Sequence, residues 1–226
     1  MAIVKCAKKP VFVLMSPVRF YQVINMMNKN KIILDLCGGT GAWSRPYKEA
    51  GYDVRVITLP THDVHIYQPP KNVYGILAAP PCTMFSMART VAKTPRDLVG
   101  AMKTVATCLR IIWECQYGGK RLSFWAMENP KARLRWFLGK PVMTFNPCDY
   151  GDAYHKPTDL WGNFNAELKK NPVALRANQR MQSHLNVQEL LPIPLDYVRD
   201  PNMSPRAIAR SITHPGFAQS FFKANQ

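Results

Sequence analysis

Cys82 stands at the end of the run Gly75-Ile-Leu-Ala-Ala-Pro-Pro-Cys82, with Phe85-Ser86 close behind. The apolar part of that run predicts a buried strand. The two prolines end it and fix the direction in which the chain leaves. A thiol is thereby set at the carboxyl edge of a sheet, where open α/β folds bind ligands. Its thiolate is a strong nucleophile, although a free thiol is only a few per cent ionised at pH 7. Glu128 closes a second apolar run, Leu122 to Met127, and Asn129-Pro130 follows. A buried carboxyl with a raised pKa can hold or donate a proton during covalent chemistry. A third run, Lys31 to Cys37, ends in Gly38-Gly39-Thr40-Gly41. Glycines let a backbone turn sharply and approach a ligand closely. The order D-x-C-G-G-T-G is not G-x-G-x-x-G, so no dinucleotide is specified. Each feature alone has a plainer reading: an inert thiol, a cap for a helix at Ala132, a strand-to-helix turn.

The elements that must position these residues alternate. Strands are expected at Lys31 to Cys37, Asp53 to Leu59, Val73 to Ala79, Leu122 to Met127, Val142 to Phe145 and Asp159 to Phe164. Helices are expected at about Ala42 to Ala50, after Thr94 or Asp97, at Ala132 to Leu138, at Ser204 to Arg210 and at Phe217 to Ala224. In the long helix, Leu98, Met102, Val105, Leu109 and Ile112 recur at helical spacing as a buried stripe, and Cys108 and Cys115 read as small core fillers. This alternation predicts an α/β fold whose mostly parallel sheet carries helices on both faces. Residues 163–203 lose the pattern and read as a short irregular insertion between 1–162 and 204–226, which together form one domain.

Thirty Lys+Arg against 14 Asp+Glu give a net charge of +16. A polyanionic partner is the simplest reason, and nucleic acid is the leading one. Basic residues cluster where a substrate would approach: Arg89, Lys93 and Arg96 after Cys82, Lys131, Arg133 and Arg135 after Glu128, and Arg206 and Arg210 late in the chain. The six cysteines form no C-x-x-C pair, which argues against a zinc site or a disulfide framework. His62-x-x-His65, with Asp63 inside it, lacks further ligands, and no metal is expected. No apolar run is long enough to span a bilayer, and the first residues lack a signal-peptide layout. The expectation is a monomeric cytoplasmic protein with no membrane partner.

Taken in order, ILDLCGGTGAWS, AAPPCTMFS, AMENP, DYGDAYHKPTDLWGN and SPRAIARSITHPGF resemble the DNA (cytosine-5) methyltransferase family, in a compact, phage-type form. Asp35-Leu36-Cys37-Gly38-Gly39-Thr40-Gly41 is similar to its D-L-F-x-G-x-G motif, with Cys37 in place of phenylalanine. Pro81-Cys82-Thr83-Met84-Phe85-Ser86 is similar to P-C-Q-x-F-S, Glu128-Asn129-Pro130 to E-N-V, and Ser204 to Arg210 to T-P-R-E-x-A-R. The resemblance implies a Rossmann-like methyltransferase fold, S-adenosylmethionine as cofactor, and double- or single-stranded DNA as substrate, in a bacterial host's cytoplasm if the chain is phage-encoded. It implies a cofactor site of Asp35, Cys37, Gly38, Gly39, Thr40, Gly41, Trp43, Thr58, Asp63 and Pro80. It implies substrate contacts by Pro81, Phe85, Ser86, Arg89, Asn129, Arg133 and Arg206. Cys82, Glu128 and Lys156 would be catalytic, with Cys82 adding to ring carbon 6 of cytosine and Glu128 serving ring nitrogen 3.

The departures are specific. At the family's Q-x-R-x-R positions stand Tyr154, Lys156 and Thr158, so one cation remains, and lysine lacks arginine's fork. Thr58 stands where an acid would hold the cofactor ribose, and no G-N-A-V element is evident, so the N-terminal helix near Tyr21 is a candidate cofactor cover. The short insertion implies loose or very short sequence specificity. Three alternatives stay open: an RNA substrate, a modified donor that transfers a carboxymethyl group, and a catalytically idle DNA-binding module.

Overall fold

The computed structural model describes residues 27–87, 89, 92–119, 121–152, 154–174, 193–194, 197–201 and 203–226. The helix expected near Tyr21 and most of the expected insertion lie outside the described residues.

Strands form where the apolar runs are densest. β1 is Ile32–Leu36, β2 Asp53–Ile57, β3 Val73–Ala78, β4 Phe124–Pro130, β5 Met143–Phe145 and β6 Thr158–Asn163. Helices α1 (Arg45–Glu49), α2 (Leu98–Tyr117), α3 (Arg135–Leu138), α4 (Pro205–Ser211) and α5 (Pro215–Ala224) connect or follow them. The six strands form one sheet in the order β2-β1-β3-β4-β6-β5. The first four run parallel, and β6 is antiparallel to both β4 and β5. The fold is therefore α/β with a mixed sheet, less uniformly parallel than the alternation alone suggests.

Alternate residues of each strand serve opposite faces, as the pleat requires. On one face Leu34, Leu36, Ile76 and Met127 meet Val105, Cys108, Ile111 and Ile112 of α2. On the other, Ile33, Leu77, Ala126 and Leu160 meet Tyr47 of α1 and Phe217 and Phe221 of α5. Phe145 and Phe217 stack with centroids 3.6 Å apart, which fixes the start of α5 against the far edge of the sheet.

Local chemistry sets the helix starts. α1 begins at Arg45 and not at Ala42, because Pro46 fits a first turn and Gly41 is left-handed (φ 66°). Asp97 caps α2, its side chain accepting the Gly100 N–H, and Ser204 caps α4 in the same way through Ala207. Residues 164–174, directly after β6, are irregular but not detached. Leu168 is buried in the α5-side core, the Ser220 hydroxyl donates to the Lys169 carbonyl at 2.7 Å, and the Asn171 N–H donates to the Asp149 carbonyl at 2.9 Å.

Candidate active site at the carboxyl edge of the sheet

Strand order β2-β1-β3 sends the chain to one side of β1 first and to the other side later, which makes the β1/β3 edge a topological switch point. Two turns meet there. From β1 come Cys37 to Gly41, and from β3 come Ala79 to Cys82, with the Ala79 N–H still donating to the Leu36 carbonyl at 2.9 Å. Cys37 is left-handed (φ 56°), a conformation that costs a residue with a Cβ on the order of 1 kcal/mol. Its side chain packs against the core that holds Cys108 of α2. The side chain therefore serves the core, while the backbone makes the turn. A Cβ on Gly38 would run into the Asp35 carboxylate, so glycine is required at that position. Asp35 is fully buried at the end of β1, and the Ser44 hydroxyl donates to its Oδ2 at 2.5 Å. Its Oδ1 is buried without a hydrogen-bond partner. Burial pushes the Asp35 carboxyl up from 3.8 to about 7, against the lowering effect of Ser44, and the charge of Glu128 adds to the rise.

Cys82 begins the next turn. Its carbonyl accepts the N–H groups of Phe85 (3.0 Å) and Ser86 (2.8 Å), which winds the chain back over the end of β3. Asn129 is fully buried beside Glu128 on β4, and its Nδ2 donates to the Pro80 carbonyl at 2.9 Å. This one bond ties the strand end that carries Glu128 to the turn that carries Cys82. Burial raises the Cys82 thiol above its ordinary value, and Lys156 and then Arg210 oppose that rise while Glu128 reinforces it. Burial likewise raises Glu128, with Lys156 opposing. Lys156 itself donates to the Arg210 carbonyl at 2.9 Å, anchoring the residues before β6 to α4. Cys82, Glu128 and Lys156 therefore share one electrostatic environment, and Arg210 joins them. The support for the thiol is two cations where the motif left one.

A cleft beside this group is lined by Glu128, Lys156, Thr158, Ser211, Thr213 and His214. His214 is buried at the foot of α5, its ring 4.3 Å from that of Tyr154 and its Nδ1 3.4 Å from an Asp152 oxygen. Ser44, Asp152, Ser211 and His214 were not singled out by sequence. Their signal was weak: short polar residues in loops and at helix ends, and a histidine directly before a proline.

Other expected site residues are placed variously. Thr58 directly follows β2, one strand over from the glycine turn, and its carbonyl accepts the Thr61 hydroxyl at 3.0 Å. Asp63 accepts the His65 N–H at 2.9 Å, and the His65 ring lies 3.2 Å from the hydroxyls of Thr104 and Thr107 on α2. Trp43 is buried against Phe217 and Phe221. Phe85 is fully buried with its ring edge-on to Phe137. The Arg89 guanidinium holds the Thr94 carbonyl and hydroxyl, and the side chain of Arg206 lies outside the described part of α4. Among the described residues no cluster could hold a metal ion, and no helix is long and apolar enough to cross a membrane.

No protein-family model matches the chain, and no curated protein matches it.

Proposed function

We propose that this chain transfers a methyl group from S-adenosylmethionine to ring carbon 5 of cytosine in DNA, through a covalent adduct with Cys82. The observation that carries the reading is the convergence of Cys82, Glu128, Lys156 and Arg210 beside the glycine turn. The sheet order supports a Rossmann-like methyltransferase architecture, because the turn and the thiol meet at its switch point.

The turn suits the cofactor. Gly38 leaves a side-chain-free cradle against Asp35, and the orphaned Asp35 Oδ1 offers an acceptor behind it. Cys37 to Gly41, Thr58 and Pro80 would hold the cofactor there. When bound, S-adenosylmethionine supplies an electrophilic methyl group.

The chain's own residues do the rest. The Cys82 thiol would lose its proton to water, and its sulfur would add to ring carbon 6 of a cytosine that has left the base stack, the ring's carbon 5–carbon 6 π electrons moving towards nitrogen 3. Burial alone disfavours that thiolate, so Lys156 and Arg210 supply the positive potential that offsets it. Glu128, whose carboxyl burial raises against the opposing charge of Lys156, would donate a proton to ring nitrogen 3 as negative charge moves into the ring. Carbon 5 thereby becomes nucleophilic. Loss of its proton after transfer re-forms the ring double bond and expels the Cys82 thiolate.

The deciding experiment uses DNA containing 5-fluorocytosine, in which the adduct cannot collapse by loss of a proton from carbon 5. With S-adenosylmethionine present, the wild-type protein becomes covalently attached and Cys82→Ser does not. Absence of any adduct across a range of salt concentrations would make the chain an idle binding module. The mass of the modified nucleoside from ordinary DNA separates methyl from carboxymethyl transfer.

A further inference from the structure

Beside the Cys82 turn lies a surface that the covalent chemistry does not use. Trp136 of α3 is 71% exposed, and Met87 is 61% exposed. The Arg133 guanidinium sits 5.5 Å from the centre of a Trp136 ring, with its NH1 3.1 Å from the Met87 sulfur. The backbone joins the two segments, since the Arg133 N–H donates to the Phe85 carbonyl at 3.4 Å. Arg96 fixes the same turn from the other side through the Met84 (2.6 Å) and Ser86 (3.0 Å) carbonyls. Desolvation, and after it the nearby charges of Arg133 and Arg89, lower the Arg96 guanidinium, so the three cations stand close together. Among the described residues no carboxylate forms an ion pair with any of the three. An exposed indole set among uncompensated guanidiniums fits a polyanion that carries flat π-faces.

We propose that Trp136, with Arg133, Arg96 and Arg89, is a stacking platform for an unpaired base next to the target, which makes single-stranded nucleic acid the preferred substrate form. The inference rests on the nucleic-acid reading above and adds to it the strandedness of the substrate. A base inside a duplex already has both faces stacked, so an indole gains little from it. An unpaired base has a free face, and base–aromatic stacking is tolerant of sequence. Arg133 braces the indole by a cation–π contact while the guanidinium charges draw in the backbone phosphates.

The test is fluorescence anisotropy with a labelled oligothymidylate and a labelled duplex, both without S-adenosylmethionine. Oligothymidylate holds no cytosine, so its binding does not depend on the reaction at Cys82, and adduct formation on 5-fluorocytosine DNA reports that reaction separately. Wild-type protein should bind the single strand more tightly than the duplex. Trp136→Ala should weaken single-strand binding by roughly five- to a hundredfold. Trp136→Phe should recover most of that loss, and duplex binding should change by no more than about twofold. Trp113→Ala, which removes an exposed tryptophan on α2, should leave both affinities unchanged. A Trp136→Ala protein that holds oligothymidylate within about twofold of wild type, or that loses both forms equally, overturns the proposal, as does a wild type that prefers duplex.

Discussion

Asp35 shows how one buried carboxyl couples the site to the stability of the fold. In the unfolded chain it titrates near 3.8, and in the folded protein near 7. Below about pH 4 both states are protonated and burial carries no penalty. As the pH rises towards 7, the unfolded chain ionises while the folded one retains its proton. Stability is therefore lost across that window, by up to about 4 kcal/mol. Glu128, also raised by burial, acts in the same direction. Asp35→Asn removes the Asp35 part and leaves an amide oxygen for Ser44. Its urea midpoint relative to wild type should rise between pH 4 and pH 8, while S-adenosylmethionine binding weakens. Parallel stability profiles for the two proteins would show that Asp35 titrates alike in the folded and unfolded chain. The same balance governs Cys82, where burial outweighs two cations in the resting state.

At the level of elements, the Asn129 bond to Pro80 sets the relation between β4 and the Cys82 turn. Asn129→Ala leaves the Pro80 carbonyl buried without that donor, a loss of about 1–3 kcal/mol. Thermal unfolding should move down accordingly, and kcat for the proposed methyl transfer should fall more than KM rises, since the turn loses its place but the outer contacts remain. Unchanged kcat in a destabilised variant would mean the bond is structural only. Much of this scaffold was legible in the chain. β1 and β3 lie within the apolar runs Lys31 to Cys37 and Val73 to Ala79, because burial on both faces leaves a continuous apolar signature, whereas β4 starts inside Leu122 to Met127 and continues through the polar Glu128 and Asn129 to Pro130. Of the stripe expected on α2, Val105 and Ile112 are buried and Leu98, Met102 and Leu109 are partly buried against the same core, while Cys108 and Cys115 fill it as small residues. Arg210 beside Cys82 was not, because the two residues are far apart in sequence and α4 reaches the site through the Lys156 anchor. The left-handed backbone of Cys37 was also hidden, since a cysteine, unlike a glycine, carries no sequence signal for a positive φ.

For the whole molecule, +16 net charge is a statement about encounter and salt. The described ion pairs consume few of the cations. Arg55, Arg110, Arg135 and Lys170 have carboxylate partners, while Arg89, Arg96 and Arg133 beside the Cys82 turn have none. Charge is therefore left uncompensated on the face that carries the turn. If roughly six phosphates are neutralised there, the logarithm of the association constant falls with the logarithm of salt at a slope of about −4 for single strands and about −5 for duplex. Raising salt from 50 to 200 mM should then cost at least about two orders of magnitude in affinity. The stacking contribution of Trp136 is not electrostatic, so Trp136→Ala should lower single-strand affinity at every salt concentration without changing the slope. Replacing Arg89, Arg96 and Arg133 together by glutamine should reduce the slope by about two. Anisotropy titrations across this salt range separate the two contributions, and a slope near zero for wild type would mean that the charge excess serves something other than a nucleic acid.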